Sequence, residues 1–108
     1  MKSFKVYGKV QNVMFRQTFI RGLQSRNLRG GATNNSDVEK TVSITIHASE
    51  EKIKEVTQKL LELKVINSWN ATVEKIEELP NSIPIQDHEV TTENVDQIKW
   101  SEGVEFYF

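Results

Sequence analysis

No cysteine occurs among the 108 residues. That excludes disulfides and thiolate metal sites and leaves the redox compartment open. Histidine occurs twice, as His47 and His88, without metal-ligand spacing or a carboxylate–histidine pattern. His47 therefore reads as a strand end and His88 as loop, with no metal site and no catalytic role expected of either. Proline also occurs twice, as Pro80 and Pro84, so the rest of the chain is free to form regular elements. No apolar run reaches the roughly 18 residues of a membrane span, and no membrane association is expected. The N-terminus enters a strand pattern directly, with no apolar leader, so a cytoplasmic protein is the default expectation. Neither sign of charge dominates: 14 basic and 15 acidic side chains leave a net charge of −1. The domain as a whole has no attraction for nucleic acid or anionic lipid, and neither is expected as a partner. What remains is an ordinary globular composition, 37% apolar and 27% charged, in one domain over residues 1–108 with no internal repeat.

The chain is organised around Val10-Gln11-Asn12-Val13-Met14-Phe15-Arg16. Residues 3–10 alternate in polarity and read as a strand, with Gly8 marking a close backbone approach. Residues 15–26 place Phe15, Phe19, Ile20 and Leu23 on one helical face, with Gln17, Arg21 and Gln24 outside it. Between them lies a four-residue loop. A loop opening into a helix presents unpaired N–H groups and the positive end of the dipole, which together suit an anion. Arg16 follows at once with a planar fork of donors that fits phosphate or carboxylate.

Asn27 is a plausible left-handed helix cap. Residues 28–35 have little β propensity, whereas Thr41–His47 is the clearest strand, with Val42, Ile44 and Ile46 on one face. Asn35-Ser36-Asp37 supplies the turn of a hairpin between them. Ser49 caps a second helix with Glu50 and Glu51 in its first turn, and Ile53, Val56, Leu60, Leu61 and Leu63 form its apolar stripe. Asn67-Ser68 ends that pattern. Residues 69–78 read as a strand with a bulge, residues 80–102 as an irregular connection, and Val104–Phe108 as a terminal strand. Trp69 and Trp100 read as packing residues at the sheet margin. The order βαββαβ predicts an α+β fold: a ferredoxin-like sandwich with two helices on one face of an antiparallel four-stranded sheet.

Val6-x-Gly8-x-Val10-Gln11-Asn12-Val13-x-Phe15-Arg16 resembles the acylphosphatase signature VxGxVQGVxFR. Leu28-x-Gly30-Gly31-Ala32-x-Asn34 is similar to that family's LxGWVxN, and the likeness supplies the strand at residues 28–35. The resemblance implies metal-free and cofactor-free hydrolysis of a small acyl phosphate to carboxylate and inorganic phosphate. It assigns phosphate binding to Arg16 and to the loop Gln11, Asn12, Val13, Met14 and Phe15, and orientation of the attacking water to Asn34. For Gln11 a structural hydrogen bond is the simpler reading. Three positions depart from the pattern: Asn12, Gly31 and Ala32 stand where the family has Gly, Trp and Val, so a loss of packing volume is expected in the second strand. The hairpin after Asn34 is two residues longer.

Two other functions compete. An RNA-binding domain of this topology needs exposed aromatics on its central strands, and residues 3–10 offer only Phe4 and Tyr7, on opposite faces. A catalytically silent acylphosphatase-like domain that binds an anion or a protein is the stronger alternative, because of Asn12 and Gly31. A monomer is the simplest expectation.

Overall fold

The alternation near the N-terminus does what its period dictates. In the computed structural model, which describes residues 1–108, β1 (Lys2–Lys9) turns Phe4 and Val6 into the core. Ser3, Lys5 and Tyr7 take the opposite face, as a period of two requires. β1 is flanked on one side by β3 (Val42–His47), with Phe4 opposite Ile44 and Val6 opposite Val42. On its other side lies β4 (Thr72–Glu78). Beyond β3 comes β2 (Arg29–Asn34), and beyond that a two-residue strand, β5 (Val90–Thr91). The sheet is antiparallel throughout in the order β4-β1-β3-β2-β5. It therefore has five strands where four were expected.

The apolar face of the sheet shares one core with α1 (Phe15–Ser25) and α2 (Glu50–Glu62). Phe15, Phe19, Ile20 and Leu23 of α1 and Ile53, Val56 and Leu60 of α2 are buried, each side chain contributing about 1.5–3 kcal/mol. Ser49 caps α2 by accepting from the Lys52 N–H, with Glu50 and Glu51 in the first turn as expected. Leu61, placed in the buried stripe by sequence, is 45% exposed. It follows Leu60 by one step, about 100° round the helix, and the core needs only one of the two. Gln17 departs in the other sense and is buried. The segment after β5 lies along this side of α1, where Arg21 pairs with Asp96 at 2.6 Å and the Gln24 side chain donates to the Thr92 carbonyl. Asn27 does adopt the left-handed conformation, φ 57°, and the Leu28 N–H reaches back to the Leu23 carbonyl.

The expected bulge is present. Tyr7 pairs with Lys75 and Gly8 with Val73, leaving Glu74 as the extra residue on β4. Gly8 sits there at φ 138°, with the Thr72 carbonyl where a Cβ would be. The terminal segment Val104–Phe108 is not a strand. It makes one isolated bridge, Phe106 with Asn67, and ends with the Phe108 ring stacked on Phe19 and beneath the Arg26 guanidinium.

The connection after β4 is the largest departure. It holds two short 3-10 turns, Ile85–Asp87 and Val95–Gln97, besides β5. It also folds back over the sheet face opposite the helices. There the Ile83 N–H donates to Ser3 Oγ and Thr45 Oγ1 donates to the Ile83 carbonyl. His88, expected in an open loop, is buried against Gly31: a Cβ on Gly31 would stand 2.7 Å from the imidazole. The volume lost at Gly31 is thus taken up by His88 from a distant segment.

Hydrogen-bond bookkeeping fixes the His88 tautomer. Thr45 has one proton, directed at the Ile83 carbonyl, so Ser3 Oγ (2.6 Å) and His88 Nε2 (2.7 Å) both donate to Thr45 Oγ1. His88 Nδ1 then accepts from Thr33 Oγ1 at 2.9 Å. Burial holds this imidazole below its ordinary pKa of 6.5, with Asp87 and Glu89 pulling weakly the other way. Unfolded His88 takes up a proton below pH 6.5, whereas the folded one resists it. The stability contributed is complete above 6.5 and is lost as pH falls toward the folded value. The melting temperature is expected to drop between pH 7 and pH 5, and His88→Gln should flatten that slope; equal slopes in the two proteins would refute the assignment. Asp37 titrates in a separate window. Hydrogen bonds from the Thr41 side chain and backbone, with Lys5 beside it, hold its carboxyl at about 2.

Candidate active site

The loop from Gln11 to Met14 is shaped by two residues that leave ordinary backbone space. Asn12 has φ 63° and Met14 has φ 60°. Left-handed conformation costs a non-glycine residue roughly 1–2 kcal/mol, less for Asn, whose side chain tolerates it. Asn therefore does stand at a position of positive φ, and Met14 adds a second that its side chain does not favour.

Two anchors hold the carbonyls of this loop. Asn67, fully buried, donates through Nδ2 to the Val13 carbonyl and to Thr18 Oγ1, both at 2.8 Å. Its Oδ1 accepts from the N–H groups of Trp69 (3.0 Å) and Ala71 (3.2 Å). The Met14 carbonyl accepts from the Thr18 N–H and Thr18 Oγ1. In a planar trans peptide the N–H points opposite the carbonyl. Fixing the Val13 and Met14 carbonyls inward therefore aims the N–H groups of Met14 and Phe15 out of the loop. No protein group accepts from the N–H of Asn12, Val13, Met14, Phe15 or Arg16. The first turn of α1 carries no acidic residue and no side-chain cap, so nothing local quenches its positive end. The Gln11 side chain is not part of this donor set. Its Nε2 bridges the carbonyls of Asn35 (2.8 Å) and Thr41 (2.9 Å) and ties the loop to the β2–β3 hairpin.

Arg16 and Asn34 come together through a third residue. Glu89 Oε1 accepts from Arg16 Nη1 at 2.9 Å and from the Asn34 backbone N–H at 2.8 Å. Glu89 is held in turn by its own N–H on Thr33 Oγ1 and by Asn94 Nδ2 on its carbonyl. The Asn34 Oδ1 is buried without a partner, so its carbonyl is available for a hydrogen bond once its surroundings open. The neighbouring Asn35 is committed to the hairpin through Thr41 and Ser43, which separates the two asparagines by role.

An open cavity of about 410 Å³ adjoins the loop. Asn12, Met14 and Arg16 line it together with Trp69, Lys99 and Trp100. Trp100 packs on the core and donates through its indole N–H to the Val95 carbonyl at 2.8 Å, while Trp69 is 36% exposed. Trp100 is the packing residue expected from sequence, whereas Trp69, expected to pack as well, is exposed; both line this cavity. Glu89, Asn67 and the cavity wall were not found from sequence. Glu89 lies in a stretch with no periodicity, and Asn67 looked like an ordinary helix terminator.

Residues 2–99 match the acylphosphatase family model. The fold is similar to that of an acylphosphatase from Bacillus subtilis, with 21% identity, a TM-score of 0.55, and coverage of 73% of this chain and 83% of that one. No curated protein matches the sequence. No helix is long and apolar enough to cross a membrane.

Proposed function

Since the chain belongs to the acylphosphatase family, we propose that it hydrolyses the carboxyl–phosphate bond of an acyl phosphate, releasing carboxylate and inorganic phosphate. The observation that carries this reading is a run of free N–H donors opening into a helix beside a guanidinium. The N–H groups of residues 12–16 have no acceptor, and Arg16, which follows them at once, meets the Asn34 N–H on one Glu89 carboxylate oxygen.

The chemistry asks little else of the protein. The leaving group is a carboxylate, a weak base that departs without protonation. Catalysis then rests on neutralising charge on the phosphoryl oxygens and on aiming a water. The substrate phosphate displaces the Glu89 carboxylate from Arg16 and takes the loop N–H groups as further donors. The Asn34 amide orients the water without itself being deprotonated, and the substrate phosphate accepts the water's proton. The direct test is hydrolysis of benzoyl phosphate by the wild type and by Asn34→Ala. Saturable turnover is expected, lowered about 10²-fold in the variant with the fold intact. Wild-type protein inert toward acyl phosphates would overturn the proposal.

A second reading draws on the same Glu89 contact: a silent relative in which the carboxylate permanently occupies the anion position. Glu89→Gln separates the two. If Glu89 yields to substrate, removing its charge is expected to lower the inhibition constant of inorganic phosphate about threefold, in keeping with a partly exposed ion pair. Phosphate binding without turnover in both proteins would favour the silent reading.

A further inference from the structure

We infer that the cavity beside the loop binds the acyl group of the substrate and selects aromatic acyl phosphates over short aliphatic ones; this rests on the acylphosphatase reading above. In-line displacement at phosphorus puts the attacking water and the leaving carboxylate oxygen on opposite sides. The water is assigned to Asn34, which shares the Glu89 carboxylate with Arg16. Neither Asn34 nor Glu89 borders the cavity, whereas Arg16 and Asn12 do. A phosphate held by Arg16 and the loop amides therefore points its leaving group away from Asn34, into the space walled by Trp69 and Trp100.

Size and chemistry then narrow the acyl group. At about 410 Å³ the cavity falls in the range that takes compact organic ligands, and a two-carbon acyl group would leave most of it wet. Two indoles face this space, with Phe15 and Met14 beside them. Flat π-surfaces favour a flat, apolar partner. Trp100 is fixed by its hydrogen bond to Val95, so one wall is in place before a ligand arrives.

The experiment compares kcat/KM for benzoyl phosphate and acetyl phosphate in the wild type, Trp100→Ala, Trp100→Phe and Trp69→Ala. The wild type is expected to favour benzoyl phosphate by tenfold or more, the worth of about one aromatic stacking contact. Trp100→Ala should lower that ratio about tenfold, Trp69→Ala by a smaller factor, and Trp100→Phe should keep most of it because a ring remains. Trp69 is exposed, so its variant reports on the wall even if Trp100→Ala proves poorly folded. A wild-type ratio near one, or a ratio untouched by both alanine variants while acetyl phosphate is hydrolysed, would overturn the inference and leave the acylphosphatase reading standing. Failure of every variant and the wild type to hydrolyse either substrate would overturn both.

Discussion

Arg16→Ala is expected to lower kcat/KM for benzoyl phosphate by about 10³–10⁴-fold while the protein stays folded. The size follows from what else is available at the site. Among groups around the loop, the backbone N–H donors carry partial charge only, and Lys99, which also lines the cavity, makes no bond to Glu89. Arg16 is the full positive charge that contacts the place occupied by the Glu89 carboxylate oxygen. Charge develops on the phosphoryl oxygens as the carboxylate leaves, so the loss falls on the transition state, and kcat should fall along with kcat/KM. Stability should change little, because the pair with Glu89 is partly exposed and such pairs contribute roughly 0–1 kcal/mol. Arg16→Lys keeps the charge but not the fork and should recover only part of the loss. An Arg16→Ala enzyme within tenfold of wild type would place phosphate recognition elsewhere.

Asn67→Ala is expected to be the most destabilising polar substitution in the chain, by about 3 kcal/mol or more. One side chain serves four groups at once: the Val13 carbonyl, Thr18 Oγ1, and the N–H groups of Trp69 and Ala71. Asn67 is fully buried, and truncation leaves those groups without replacements from solvent. Each orphaned buried group costs about 1–3 kcal/mol. A loss of that order lowers the melting temperature of a domain this size by roughly 10–20 °C. Denaturation monitored with phosphate affinity on the remaining folded protein checks both halves of the claim. Affinity should weaken beyond what unfolding explains, because the Val13 carbonyl is then free to turn and the Met14 N–H turns with it. Unchanged affinity in the folded fraction would show that the two left-handed residues hold the loop by themselves.

The elements that were legible in the sequence are those whose signals are local. Period-two alternation gave β1 and β3, period 3.6 gave α1, and Ser49 with its two glutamates marked the start of α2. The loop before Arg16 was legible because strand, loop and helix follow one another within a few residues. What escaped depends on distant partners. Asn67 reaches Val13 across 54 positions and Glu89 reaches Arg16 across 73. Neither end carries a pattern that names the other. Gly31 illustrates the same limit from the other side. Its missing side chain read as a loss of packing, and only the return of residues 83–91 shows that the space is filled by His88. The fifth strand lay in that returning segment too, at two residues too short for any periodicity to register.

The Glu89 carboxylate couples two events that are otherwise separate. One oxygen both fastens the returning segment to β2 and α1 and holds Arg16, the residue proposed to take the substrate phosphate. Whatever draws Arg16 away loosens the fastening, and whatever tightens the fastening opposes the ligand, by equal amounts of free energy in each direction. Amide exchange reads this reciprocity without any turnover. The Asn34 N–H, which Glu89 now covers, should exchange faster when phosphate saturates the loop, whereas an N–H deep in the β1–β3 ladder should not.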